Sequence, residues 1–148
     1  MVSLKIAVPN KGRLADNAIN LISKAGINIV NHKDRVLYSS TKDGSYTVVF
    51  LRTQDIPSFV SEGVVDIGIT GRDIVVESQE EVEIIKDLNF GHCKMIVATK
   101  QNSGIDTIED IPDGAKVATS FVNIAKNYFN EHNKKVEIIE ISGATEVS

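Results

Sequence analysis

The sequence is poor in cross-links and breakers: one cysteine, no tryptophan and three prolines among 148 residues. A lone Cys93 excludes an internal disulfide and fits a reducing compartment. No apolar run approaches the roughly 20 residues that cross a bilayer, and the opening stretch MVSLKIAVPNKGRL has too short an apolar core for a signal peptide. Positive charge is also in deficit, with a formal net charge of −4 and a pI near 5.4. A broad basic surface for nucleic acid is therefore not expected, and an anionic ligand must be held by a local group of cations. These absences lead us to expect a cytoplasmic protein with neither membrane nor nucleic-acid partners.

What is present describes a globular chain. The composition is 42% hydrophobic and 24% charged, enough to bury a core without disulfides or a structural metal. Leu4–Val8 is an apolar, β-rich run that predicts a buried strand. Leu14, Ala18, Leu21, Ile22 and Ala25 then recur at helical spacing, with Gly26 as a stop. Ile27–Val30 and Val36–Tyr38 are short strand candidates, and TKDGS (41–45) predicts a hairpin turn into Tyr46–Leu51. Asp55 is placed to cap a short helix with Pro57 in its first turn. Val65–Ile69 predicts a strand and Arg72–Ser78 a helix.

The alternation continues with strands over Val82–Leu88 and Lys94–Thr99. Thr107 and Asp110 form a capping-box pattern. Lys116–Thr119, a helix bearing Phe121, Ile124, Ala125, Tyr128 and Phe129, and Val136–Ile141 follow, and Ser142–Ser148 reads as the start of another helix. Such alternation predicts parallel α/β sheets.

Arginine is the scarce residue that is unevenly placed. All four (Arg13, Arg35, Arg52 and Arg72) precede residue 73, whereas the twelve lysines are spread throughout. Arg13, Arg52 and Arg72 each follow a predicted strand, and the carboxyl ends of strands in an open α/β sheet are where ligands bind. A guanidinium fork suits phosphate or carboxylate oxygens. Two readings stand: an anion site, or solvated turn residues paired with the twenty acidic residues.

In AVPNKGRLADN (7–17), Gly12 permits close backbone approach, and Lys11 and Arg13 flank the start of a helix whose free N–H groups favour anions. The lysine-serine/threonine ending of a P-loop is absent. In DIGITGRD (66–73), Gly68 and Gly71 leave room for a ligand or simply for tight packing, and Asp73 could orient hydroxyls or a metal-bound water. His32, His92 and His132 lack metal-ligand spacing, and no metal-ligating residues are assigned. Cys93, beside an apolar strand, is expected in the core, and QEEVEIIKD (79–87) at a solvated edge. No serine lies in a nucleophile elbow.

Taken in order, AVPNKGRL, RTQDIPSFVSEGVVDIGITGRD, DLNFGHCKMIVAT, NIAKNYF and VEIIEISGATEVS resemble the catalytic subunit of the ATP phosphoribosyltransferase family over nearly the whole chain. The resemblance implies an α/β fold like that of type II periplasmic binding proteins, with two lobes around a cleft. The first lobe would be residues 1–95, and residues 96–148 the start of a second, incomplete lobe. It implies a glycosyltransferase that condenses ATP with phosphoribosyl pyrophosphate, with Mg2+, in the first step of histidine biosynthesis. A homo-oligomer is expected, with or without a separate regulatory subunit.

Carried over position by position, the resemblance makes Lys11 and Arg52 catalytic, with Arg52 meeting ATP phosphates or the leaving pyrophosphate. It gives Arg13 a phosphate contact and Arg35 a place at a neighbouring subunit's site. Gly71 and Asp73 would line the cleft, and Glu146 would bond a ribose or the adenine side.

The chain departs from the family pattern in three places. Pro-Asn-Lys-Gly-Arg replaces Pro-Lys-Gly-Arg in the first loop, and Phe121-Val122-Asn123 replaces tyrosine-proline-asparagine. The family's signature begins around Glu146 and continues into an Asp…Ser/Thr-Gly-x-Thr loop that grips the 5-phosphate; only the start of that signature lies in these 148 residues, so weak or absent turnover is expected of them alone. Two other readings are a non-catalytic cytoplasmic anion- or solute-binding module of the same fold and a regulatory or assembly fragment.

Overall fold

The computed structural model describes residues 3–29 and 38–142, and the chain divides into two compact units, Met1–Cys93 and Lys94–Ser148. In the first unit, β1 (Leu4–Pro9), β2 (Tyr38–Ser40), β3 (Tyr46–Leu51) and β4 (Ile67–Gly68) form a sheet in the order β2-β3-β1-β4. β1 runs parallel to β3, with Leu4 beside Tyr46 and Pro9 beside Leu51. It also runs parallel to β4, with Ala7 beside Gly68, while β2 is antiparallel to β3. Helices α1 (Arg13–Lys24), α2 (Ile56–Ser61) and α3 (Arg72–Ser78) alternate with the strands.

The unbroken apolar run of β1 has a direct cause. A parallel strand covered on both faces cannot alternate apolar with polar residues. Ile6 and Val8 pack with Ala18 and Ile22 of α1 and Val48 of β3. Ala7, on the opposite face, joins Leu51, Ile56 and Val65. Gly26, in the left-handed region at φ 87°, ends α1 by donating its N–H to the Ser23 carbonyl at 3.0 Å, as a glycine does just past a helix end. The TKDGS turn joins β2 to β3, with the Asp43 carboxylate accepting from Thr41 Oγ1, Ser45 Oγ and the Ser45 N–H.

In the second unit, β5 (Ala115–Thr119) and β6 (Val136–Glu140) are parallel and in register, and α4 (Val122–Glu131) connects them. The capping box forms, with Thr107 and Asp110 bonded reciprocally around a 3-10 turn at Ile108–Asp110. Lys134 Nζ donates to the Glu109 and Ile111 carbonyls at 2.7 and 3.0 Å. Phe129 and Ile111 are buried.

Several expectations are corrected. Val82–Leu88 and Lys94–Thr99 form no strands. Neither finds a ladder partner among the described residues, and Ile84, Ile85, Met95, Ile96 and Val97 are exposed. The strand expected over Val65–Ile69 shrinks to Ile67–Gly68, because β1 bonds β4 over two residues only. Ile27–Ile29 are not a strand, and Val30, Val36 and Leu37 lie outside the described residues, as do residues 143–148, where a helix start was expected. Asp55 does not cap α2 with its side chain. A 3-10 turn over Thr53–Asp55 runs straight into α2, so Asp55 has helical backbone angles (φ −88°, ψ −18°) and its carboxylate turns to Arg52 instead. Cys93 is exposed rather than in the core, because the strand meant to bury it does not form.

Candidate functional site

Because β3, β1 and β4 are adjacent and parallel, the loops that leave their carboxyl ends emerge along one edge of the sheet. Backbone bonds fix where those loops start. The Asn10 N–H donates to the Leu51 carbonyl at 2.8 Å, and the Ile69 N–H donates to the Ala7 carbonyl at 2.9 Å. The topology therefore brings Lys11, Arg13, Arg52, Gly71 and Asp73 to a common edge, as sequence spacing alone could only suggest. Arg35 and Glu146 lie outside the described residues.

The first loop turns at Gly12, whose φ of 84° and ψ of −175° belong almost exclusively to glycine. Gly12 is the residue before α1, and its carbonyl accepts the Ala15 N–H at 3.1 Å. Lys11 is exposed in the turn and Arg13 is the exposed first residue of α1. Among the described residues, neither has an ion-pair partner. Two unengaged cations beside the positive end of a twelve-residue helix form a local attractor for anions in a net-acidic chain.

Arg52 leaves β3 on the next strand. Its Nε donates to Asp55 Oδ2 at 2.8 Å and its Nη2 to Asp55 Oδ1 at 3.3 Å. These bonds, and then the carboxylate's charge, raise the arginine above its already high pKa. A third link closes the edge: Thr70 Oγ1, after β4, donates to the Thr53 carbonyl at 3.0 Å. In the GITGRD loop, Gly71 precedes α3, and a Cβ there would collide with Asp73 Oδ1. Glycine thus leaves room for the Asp73 carboxylate, which accepts the Ile74 N–H at 2.9 Å. Cys93 Sγ lies 3.9 Å from Asp73 Oδ2. Gly68 serves packing, since a Cβ there would collide with buried Ile56.

Of the two readings of the arginines, ion pairing is seen for Arg52 and Arg72. Arg72 is paired with Asp87 at 2.6 Å and Arg52 with Asp55, whereas Arg13 and Lys11 have no ion-pair partner among the described residues. Sequence reasoning missed Asp55 and Asp87 as arginine partners. The spacing of Arg52 and Asp55 carried a usable signal, because residues three apart in a helical turn share a face. Arg72 and Asp87 carried none. His132 is stacked on Tyr128, with ring centroids 4.4 Å apart, and His92 is exposed. Among the described residues, no group of three or more His, Cys, Asp or Glu side chains could hold a metal ion, and no helix is long and apolar enough to cross a membrane.

Relatives of known identity share this sequence. The chain is 45% identical over 147 residues to an ATP phosphoribosyltransferase of Methanocaldococcus jannaschii, which covers 98% of this chain and 51% of that protein. It is 42% identical to the enzyme of the same name from Methanothermobacter thermautotrophicus, covering 99% and 51%. At 41%, the Haloarcula marismortui protein of that name is matched over 98% and 51%. The chain therefore spans about half the length of the curated relatives it matches. A solved complex from Thermotoga maritima, titled ATP phosphoribosyl transferase (HisG:HisZ), superposes with a TM-score of 0.68 at 24% identity, covering 97% of this chain and 67% of that one. That likeness supports the α/β fold. The family described as HisG: ATP phosphoribosyltransferase matches residues 52–148, a span that begins at Arg52 and runs through both units, and the chain belongs to that family.

Proposed function

We propose that this chain supplies the nucleotide-facing part of an ATP phosphoribosyltransferase. The enzyme condenses ATP with phosphoribosyl pyrophosphate to give phosphoribosyl-ATP and pyrophosphate, in the first step of histidine biosynthesis. One observation carries the reading: the loops bearing Lys11, Arg13 and Arg52 leave the same carboxyl edge of a parallel sheet, beside the start of α1. Residues 1–95 act as the first lobe of a type II periplasmic-binding-protein-like fold and residues 96–148 as the start of the second. The division of the chain after Cys93 supports that assignment.

In the reaction a bond forms between adenine N1 and the anomeric carbon of the ribose. The bond from that carbon to the pyrophosphate oxygen breaks, and the pyrophosphate leaves with the electron pair. N1 already carries a lone pair, so a strong general base is not needed. What the chemistry does need is alignment and charge stabilisation of a departing polyanion. Lys11 and Arg13 contact phosphate oxygens at the mouth of α1. Arg52 meets the ATP phosphates or the leaving pyrophosphate. Gly71 and Asp73 line the nucleotide cleft, Arg35 reaches a neighbouring subunit's site and Glu146 bonds a ribose or the adenine side. Magnesium would neutralise phosphate charge. Among the described residues no group of three or more His, Cys, Asp or Glu side chains would hold that ion, and substrate phosphate oxygens would be its natural ligands.

Arg52→Ala in the full polypeptide tests the reading. Turnover should fall about 10²- to 10³-fold, the scale of losing one preorganised charge contact, with the fold retained by circular dichroism. Normal turnover would remove Arg52 from the mechanism. A second reading is a non-catalytic anion- or solute-binding module of the same fold. It predicts ATP or pyrophosphate binding with no turnover when both substrates are supplied. Homo-oligomerisation, with or without a regulatory subunit, and a cytoplasmic location complete the proposal.

A further inference from the structure

The contact between Arg52 and Asp55 has a geometry that its stability value does not explain. The arginine side chain is 62% exposed and the aspartate 34%, and exposed pairs of this kind add little to folding. Asp55 stands at the N-cap of α2 but makes no side-chain capping bond there. Yet its carboxylate sits on a firm mount. The Asp55 N–H donates to the Arg52 carbonyl at 2.9 Å, and the Asp55 carbonyl accepts Ser58 Oγ at 2.9 Å. Ile56 and Pro57, the next two residues, are fully buried. The Thr70 hydroxyl fastens the Thr53 carbonyl between Arg52 and Asp55.

A guanidinium carries five N–H donors on a rigid plane. Asp55 takes one edge, through Nε and one hydrogen of Nη2. Among the described residues, both Nη1 hydrogens and the second Nη2 hydrogen have no partner, and one hydrogen of each Nη points outward. They form the outer edge, a fork that matches two oxygens of one tetrahedral oxyanion. We infer that Asp55 is a positioning residue: it clamps the inner edge of Arg52 so that the outer edge stands preformed for two oxygens of a phosphate or diphosphate group. This rests on the reading of Arg52 as a phosphate-contacting residue. A flexible ammonium could supply the charge, but not the paired donors.

The sign of one measurement separates this from simple electrostatics. If Asp55 only competed with the ligand for Arg52, removing its negative charge would strengthen anion binding. If it positions Arg52, removing it weakens binding, because the arginine must then be ordered at the moment of association. Ordering one such side chain corresponds to about a three- to tenfold loss.

The test is pyrophosphate affinity by titration calorimetry on the full chain, for the wild type, Asp55→Asn, Arg52→Ala and the double variant. Asp55→Asn should weaken binding about three- to tenfold in the wild-type background and have no effect in the Arg52→Ala background, since Asp55 acts only through Arg52. Unchanged or tighter binding by Asp55→Asn, with Arg52→Ala still impaired, overturns the positioning role alone. The same loss in both backgrounds also overturns it, by showing a merely structural effect. Unchanged binding by Arg52→Ala removes the parent reading, and this inference with it.

Discussion

Thr70 Oγ1 donates a 3.0 Å hydrogen bond to the backbone carbonyl of Thr53, so the loop after β4 is fastened to the turn after β3. The bond joins two segments that reach the site from different strands. Thr70→Val keeps the shape and removes the donor. Stability should fall by about 1 kcal/mol, the usual net worth of such a bond, as read from the urea midpoint. A midpoint equal to the wild type would mean that water replaces the hydroxyl and that the two loops are held by packing alone.

Two glycines near the site should resist alanine for different reasons. At Gly68 the added methyl would run into Ile56 Cγ2, itself fully buried, and come within 3.2 Å of Val60. Overpacking of that kind costs about 1–3 kcal/mol. At Gly12 nothing lies within 4 Å, but φ is +84°, and a side chain in that region carries about 1–3 kcal/mol of backbone strain. Thermal melts should show both losses. Anion affinity separates them, since only Gly12→Ala should reshape the loop that carries Lys11 and Arg13.

Asp43 gives the chain a titration marker in acid. Bonds from Thr41 Oγ1, then from the Ser45 N–H and Ser45 Oγ, hold its carboxyl down to about 2 from an ordinary 3.8. The folded value lies below the unfolded one. Its contribution to stability is therefore complete above about pH 3.8 and fades as pH falls toward about 2. A carbon-detected NMR titration should find the Asp43 midpoint near 2, and Asp43→Asn should flatten the pH dependence of the urea midpoint in that window. An Asp43 midpoint near 3.8 would mean that the turn is open in solution.

Residues 94–98 offer an exchange experiment. They are exposed, belong to no strand and donate no backbone hydrogen bond among the described residues. Their amides should exchange at close to unprotected rates, while those of Ile6–Val8, inside the parallel ladder, should be the slowest in the chain. Strong protection at 94–98 in the full polypeptide would show that a further strand pairs there.

That segment also marks where reading the sequence failed. β1, α1, β3, α3, α4 and β6 were legible because each carries its own signal: a doubly buried apolar run, a helical stripe, a hairpin turn or a capping residue. Val82–Leu88 and Met95–Val97 have the composition of strands, but a strand exists only where a neighbour accepts its hydrogen bonds. Composition does not encode the neighbour. The site divides along the same line. Scarcity and placement of arginine pointed to Arg13 and Arg52, and β-strand order then put them at one edge. Asp87 was invisible as a partner because its ion pair with Arg72 spans separate segments. Asp55 stands at the N-cap position as expected, but its carboxylate bonds Arg52 rather than the helix because the Thr53–Asp55 turn gives it helical backbone angles.

The place of β1 in the sheet has a consequence for how the molecule is made. β1 precedes β3 and β4 in the chain, yet it lies between them, with Leu4 beside Tyr46 and Ile6 beside Ile67. The sheet therefore cannot grow outward from the amino terminus. The β2–β3 hairpin, whose partners are close in sequence, forms early, whereas β1 waits for long loops to close. Until Ile67 has been synthesised, β1 has no partner on its β4 side, so one edge of the strand that carries Ile6, Ala7 and Val8 stays open.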